Sequence, residues 1–568
     1  MTSAAPSRSE PVFRTPLNVS KICGRGVSRA PIARVELSSS FRQSSSPSIE
    51  VVATAPCGAA VLWLGLLRRM DLRGIVDRAL PTQSPVSHGE VVEALVLNRL
   101  TSARPLYRVA QWAHELGLAA LTGRDPERLN DDRLGRTLDA LAEHIDDLQA
   151  ALTARLVEAF DVAVTDVHYD TTTLLLEGDY DDSELAARGH SKERRPDHHQ
   201  VKLGLVTTAD GEVPLGHVTA AGDTGDVSTV PAALMQLRAQ LQTHPVVISG
   251  DSVMWSQANM DAVARAGGVF LGPVAMIASV AAWVCAAEPQ TEVAVTLARS
   301  TKPVVYRAAV VSRFAVDGVA DAGARLVVYD PRRAAAEAAE RDAALARYET
   351  ALTALRARLN VRTLKTRAAV DKAVTALAAR HGLAARYVVV TVTGSDGACT
   401  LAWVRDEAAL AAAPSRDGKW PLVTNRVEGD DAALCAWAVR RYKQHGRIER
   451  DMHLVKGELK VRPVFVRTDA RIRALVAISV WALQALTVLE RAGRRELPPE
   501  RRAPPVRARL ETLMASVAIV TYRTSPDAPL QRAISPPHPR VMGILRGLGW
   551  SAEVRHLLTA AEQVVVAT

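Results

Sequence analysis

Between Asp161 and Val274 the chain changes its hydrophobic period several times in a fixed order, and that order limits the fold more than any other feature. DVAVTDVHYDTTTLLL is β-branched and aromatic, the composition of a strand. VKLGLVTT and VPLGHVTAA flank Ala209-Asp210-Gly211-Glu212, where Asp-Gly signals a hairpin. STVPAALMQLRAQL reads as a helix, HPVVISGD as a short buried strand ending at Asp251, SQANMDAVARAG as a helix and GVFLGPV as a strand. Three antiparallel strands followed by helix, strand, helix and strand describe an α/β core with one mixed sheet.

A second pattern lies far downstream, in RYKQHGRIERDMHLVKGELKVRP. Tyr442, His445, Glu449 and Lys456 are spaced so that, at about 100° per residue, they fall within an arc of roughly 60° on one helix. Ile448, Met452, Val455 and Leu459 take the neighbouring arc and give that helix an apolar face. A carboxylate set among an aromatic hydroxyl and two cationic groups suits a place where the acid holds a metal and its neighbours grip phosphate. The competing reading of the same stripe is a solvated amphipathic helix.

This spacing resembles the Tyr-Arg-Glu-Lys signature of DDE transposases of the insertion-sequence 4 superfamily, with His445 in the usual Arg position. The words DGKWPLVTNR upstream and LKVRPVFVRTDARIRALVAISVWALQAL downstream are similar to the insertion-sequence 1634 group, as are NRLTSARPLYRVAQWA and LNDDRLGRTLDAL. The resemblance implies a ribonuclease-H-like catalytic core, a mixed five-stranded sheet with helices, plus a large insertion before the last catalytic helix and a helical N-terminal domain. It also implies three catalytic, metal-holding acids: two aspartates on strands, and Glu449.

Asp166, His168 and Asp170 alternate onto one face of the first strand, so the strand alone does not choose between the acids. The family words YDTTTLLLEGD and GHSKERRPDHHQVKLGLV favour Asp170, followed two positions on by Thr172, with Asp166 as the fallback. The second acid is Asp251. Family members more often read Asp-x-Gly-Met there, and this chain has Val253 in place of the glycine. Carboxylate oxygens and substrate phosphate suit Mg²⁺, so the resemblance implies two Mg²⁺ ions, with Mn²⁺ as a substitute. Tyr442, His445 and Lys456 are expected to contact transposon-end DNA, and Lys192, Arg194 and Arg195 are further phosphate-binding candidates in a charged loop.

The 568 residues divide into a disordered basic leader (1–50), a helical domain for DNA-end binding or dimerisation (51–160), the first part of the core (161–274), an insertion (275–426), the catalytic and following helices (427–495) and a linker with a C-terminal segment (496–568). In the helical domain, Asn130 or Asp131 caps a long third helix over DDRLGRTLDALAEHIDDLQAALTARLVEAF. A net charge of +9, from 70 Lys+Arg against 61 Asp+Glu, fits a polyanionic partner. Five cysteines with no Cys-x-x-Cys spacing argue against a zinc ribbon or disulfide framework and for a reducing compartment. His198 and His199 are adjacent and point apart on an extended chain, which with His190 nearby still makes a poor zinc site. Trp283, Trp403 and Trp420 are either core residues or platforms for a flipped base.

No membrane span is expected, and the apolar run Ala474–Leu489 reads as a buried helix. The expected protein is a bacterial, cytoplasmic, nucleoid-associated transposase that cuts element ends and joins them to target DNA as a homodimer in its synaptic complex. The alternatives are a nuclease of the same fold without strand transfer, and an inactive descendant that only binds DNA.

Overall fold

The computed structural model describes residues 50–189, 195, 197–209, 213–241, 246–296, 302–443, 452–454, 456, 459, 466–496 and 506–535. The leader expected at 1–50 lies almost wholly outside them.

The helical N-terminal part comprises α1 (Ala60–Arg69), α2 (Leu72–Ala79), α3 (His88–Thr101), α4 (Val109–Glu115), α5 (Leu118–Thr122), α6 (Asp131–Ala142) and α7 (Ile145–Phe160). A capping box starts α3: the Glu90 N–H donates to Ser87 Oγ at 3.1 Å, and the Ser87 N–H donates to the Glu90 carboxylate at 2.9 Å. The long third helix of the sequence reading is two helices, broken at Glu143–His144. Its cap is Asn130, whose side chain accepts from the Arg133 N–H at 2.9 Å. The break has no Gly or Pro to announce it. Asp146 and Asp147 then occupy the first turn of α7, where the helix dipole favours acids.

Ahead of α1 the sequence reading has helix from Val51, but Glu50–Pro56 is a strand, β1. It pairs antiparallel with β13 (Ala518–Arg523), which pairs with β14 (Gln531–Ile534), so the C-terminal segment returns to the start of the described chain. A strand exposed along nearly its whole length shows no apolar alternation, and only its distant partner explains it.

The core sheet contains β2 (Asp166–Leu175), β3 (Gln200–Thr208), β4 (Pro214–Ala221), β5 (Val247–Ser249) and β6 (Val269–Gly272) in the order β4-β3-β2-β5-β6. β2, β3 and β4 are antiparallel, whereas β5 and β6 run parallel to β2. This is the element order read from periodicity, with α8 (Asp226–Leu241) and α9 (Gln257–Arg265) in the expected places. The sheet does not stop at five strands. After α10 (Ala278–Ala286), β7 (Thr291–Val295), β8 (Val304–Val316), β9 (Val319–Tyr329) and β12 (Lys419–Thr424) add on beyond β6, giving nine. Between β9 and β12 run α11 (Pro331–Arg356), α12 (Arg367–Arg380), α13 (Gly382–Ala385), the hairpin β10 (Val388–Thr393)–β11 (Thr400–Arg405) and α14 (Glu407–Ala412), around an apolar core of their own.

The chain then forms α15 (Asp431–Tyr442), α16 (Asp469–Glu496) and α17 (Val506–Met514). By length and apolarity the stretch Asp469–Arg491 could cross a membrane, yet 94% of its most apolar window is buried inside the protein. Its buried polar side chains are used internally. Gln484 donates to the Pro214 carbonyl at 2.8 Å, and the Trp481 indole donates to Gln149 Oε1 at 3.1 Å. Gln149 and Thr153 of α7 in turn donate to the Leu215 carbonyl at 3.1 and 2.6 Å.

His217 sits beneath this packing, fully buried, and burial pushes its pKa down to about 4. An imidazole that stays neutral when folded but protonates near 6.5 when unfolded leaves the unfolded chain binding more protons between those values. Stability is therefore expected to fall as pH drops from about 6.5 toward 4, by on the order of 3 kcal/mol. His217→Gln should flatten that part of the profile, which denaturant melts at a series of pH values would measure.

Candidate active site

β2 presents Asp166, His168 and Asp170 on one face and Val167, Tyr169 and Thr171 on the other. Tyr169 fixes the second face: its hydroxyl donates to Thr229 Oγ1 of α8 at 2.8 Å, and burial raises its pKa. On the first face Asp170 stands opposite Leu205, and Leu205 opposite His217, so this side lies under α7 and α16. Asp170 is half-buried, and its carboxylate accepts from the Thr171 N–H at 2.7 Å.

The parallel pairing of β2 with β5 matches His168 to Ser249. The pairing ends there: Asp170 lies two residues further along β2, and Asp251 two residues past Ser249, beyond the end of β5. Asp251 is exposed, just past the end of β5, where it accepts from the Ser252 N–H at 2.5 Å while its carbonyl accepts from the Met254 N–H at 3.1 Å. Met254 and Trp255 are buried and hold this turn down. They press on Gly250 and Gly272, where a Cβ would have no room. Val253, in the place of the family glycine, is half-exposed and is not among the residues with positive φ, so the turn does not require glycine there.

Asp166 has a different role. Its carboxylate pairs with the Arg441 guanidinium and accepts from the Thr165 hydroxyl at 3.1 Å, tying the end of α15 to the start of β2. The pair is largely shielded from water, with side-chain exposures of 24% and 18%, so it differs from a loose surface bridge.

The helix expected to carry Tyr442, His445, Glu449 and Lys456 runs through 444–451, which lie outside the described residues; α15 reaches Tyr442, and Lys443 follows in a turn. The Lys443 ammonium sits 4.2 Å from the Trp420 ring centre and 4.6 Å from that of Tyr306, and burial pushes its pKa down to about 8. Tyr442 is half-buried at the edge of the same cluster, and Lys456 is half-buried in a helical turn. His445 and Glu449 lie outside the described residues, as do Lys192, Arg194 and His190.

Arg195 is exposed and engages Asp197 at 3.3 Å. His198 also reaches Asp197, at 2.9 Å, whereas His199 meets the Tyr180 ring edge-on, so the two imidazoles do take separate partners. Trp420 is buried, Trp403 lies beneath Arg356 at 4.8 Å, and Trp283 packs against a small cluster at Val284. Cys57, Cys285, Cys399 and Cys435 are free thiols. Among the described residues no group of three His, Cys, Asp or Glu is placed to hold a metal ion. Asp170 and Asp251 offer only carboxylate oxygens, a donor type that fits a hard divalent cation. The sequence reading missed the Asp166–Arg441 tie and the Lys443 cage, because each joins residues hundreds of positions apart or on separate elements.

Residues 61–153, which cover α1 to α6 and the start of α7, match a family model described as a domain of unknown function (DUF4277). No curated protein matches the chain. Among solved structures, the chain is similar to a piggyBac transposase synaptic complex with hairpin DNA, at 9% identity and a TM-score of 0.36 over 82% of this chain and 83% of that one. A likeness that loose places no residue of this chain.

The Asp166–Arg441 pair should behave as a structural tie. Asp166→Asn is expected to cost about 1–3 kcal/mol, because it leaves a shielded guanidinium short of its partner. Arg441→Gln added to it should cost little more, whereas Asp251→Asn should change stability by less than about 0.5 kcal/mol. A double-mutant cycle by denaturant unfolding reads all three.

Proposed function

We propose that this chain is a DNA transposase of a bacterial insertion sequence, with a ribonuclease-H-like core and a DDE site made of Asp170, Asp251 and Glu449. The observation that supports the reading is the parallel pairing of β2 with β5 up to His168 and Ser249, because Asp170 and Asp251 each follow that pair by two residues. The order β4-β3-β2-β5-β6, with three antiparallel strands and two parallel additions, supports the core assignment. The signature resemblance supplies Glu449 and the chemistry.

Asp170 and Asp251 would hold Mg²⁺, or Mn²⁺ in its place, together with Glu449. The ions, when bound, would neutralise phosphate charge and lower the cost of forming the attacking and leaving oxygens. Asp170, half-buried, is fixed on the rigid middle of β2, and Asp251 on a turn pinned by Met254 and Trp255, so the carboxylates need little reorganisation to meet a phosphodiester. A water attacks the element end, and the freed 3′-hydroxyl then attacks target DNA in a second in-line displacement. Tyr442, His445 and Lys456 grip the end near the cut, with Lys192, Arg194 and Arg195 as further phosphate contacts. The partners are transposon-end and target DNA, handled by a homodimer in the bacterial cytoplasm, at the nucleoid.

Asp170→Asn, Asp251→Asn and Glu449→Gln are each expected to abolish cleavage of end-containing duplex in Mg²⁺ while leaving end binding in a gel shift within about twofold. Robust cleavage by Asp251→Asn would remove the second acid from the site. Cleavage without joined product would assign a nuclease of the same fold, and tight binding without any cleavage an inactive DNA-binding descendant.

A further inference from the structure

The end of α3, the turn that follows it and the start of α16 enclose a pocket of about 580 Å³, far from Asp170 along the chain and unused by the chemistry above. Its size is ordinary for a small-molecule or nucleotide site. The lining is divided by chemistry. Leu106, Val466 and Leu475 supply apolar surface, and Arg99, Arg104, Arg467 and Arg471 bring four guanidinium groups to the same space, against the single carboxylate of Asp131. Arg471 is already held by Asp139 through two hydrogen bonds of 2.8 and 2.7 Å, so it frames the pocket and is not available to it. Arg104 and Arg467 are exposed, and Arg104 makes only a long, solvent-exposed ion pair with Glu115, at 3.9 Å. Arg99 is buried in the wall.

Tyr107 stands at the same pocket with 70% of its surface exposed, the only aromatic among the exposed large apolar side chains of the described residues. The Arg108 guanidinium lies 5.5 Å from its ring centre. An exposed aromatic ring can stack on a planar partner, and cations close by select an anion-bearing one. A planar base joined to a phosphate combines both requirements, and a protein side chain or a bare phosphate meets only one.

We infer that this pocket takes a nucleotide of single-stranded DNA, with the base on Tyr107 and the phosphates on Arg104 and Arg467. The inference rests on reading the chain as one that handles DNA, and it gives the helical module a ligand: an unpaired strand, such as a frayed or cut end.

The test is fluorescence anisotropy of a labelled twelve-nucleotide single strand and of the matching duplex, with the full chain. Tyr107→Ala should weaken single-strand binding about tenfold or more and leave duplex binding unchanged, and Tyr107→Phe should restore it. Arg104→Ala should lower the slope of log affinity against log salt by about 0.7, the value for one phosphate contact on a single strand. These side chains are exposed, so an unchanged thermal midpoint serves as the folding control. Equal losses for single strand and duplex, or wild-type binding by Tyr107→Ala, would overturn the inference. So would loss of self-association in Tyr107→Ala, because it would assign this surface to a second copy. A chain that binds the strand through Tyr107 but never cuts DNA keeps the pocket and removes the transposase reading. A chain that cuts DNA while both variants bind as wild type does the reverse.

Discussion

The burial of α16 is the constraint on which the rest of the molecule depends. It packs against α3, α6 and α7 and against β4, so one helix touches both the N-terminal helices and the sheet. Apolar burial alone would let such a helix slide or rotate, because dispersion contacts have little direction. Trp481, Gln484, Gln149 and Thr153 remove that freedom by hydrogen bonding to one another and to the Leu215 and Pro214 carbonyls. Arg491 adds hydrogen bonds to the Phe160 and Asp161 carbonyls at 2.8 and 2.6 Å, satisfying the end of α7. Buried polar groups with partners give register where greasy surfaces give only adhesion.

With one face of the sheet fixed in this way, the acids on β2 inherit their positions from strand geometry. A parallel neighbour on the Asp251 side means that equivalent residues face the same way, and a one-residue slip would turn one carboxylate to the opposite side. Tyr169 guards against that slip, since its hydroxyl is committed to Thr229 on the far face. Arg441 contributes from the near face by tying the end of α15 to Asp166, on the strand that carries Asp170.

Much of this was legible in the sequence where structure is local. The strand–helix alternation from Asp161 to Val274 came out in order, because each element buries its own periodic face. Asp166 and Asp170 could not be separated by alternation, since both obey it; the resemblance favoured Asp170, and the structure shows Asp166 paired with Arg441. The four added strands of the sheet fall within the segment read as an insertion, because nothing in β8 or β9 says which edge they will join. β1 was hidden for a similar reason: its partner lies more than four hundred residues downstream. The stripe from Tyr442 to Lys456 runs through 444–451, which lie outside the described residues; what the sequence did not reveal is that Lys443, next to its start, sits against rings contributed by β8 and β12.

The excursion between β9 and β12 leaves and re-enters the sheet at one point. Tyr329 pairs with Lys419, the Asp330 N–H donates to the Gly418 carbonyl at 2.9 Å, and Arg341 bridges to Asp417 at 2.8 Å just above. Everything from α11 to α14 thus hangs from a neck two strands wide and carries its own apolar core. Topologically it is the tip of a β-hairpin that has grown into a body. Such an attachment lets evolution lengthen, shorten or replace the body while the sheet beneath keeps its register, because the strands at the neck already pair without it.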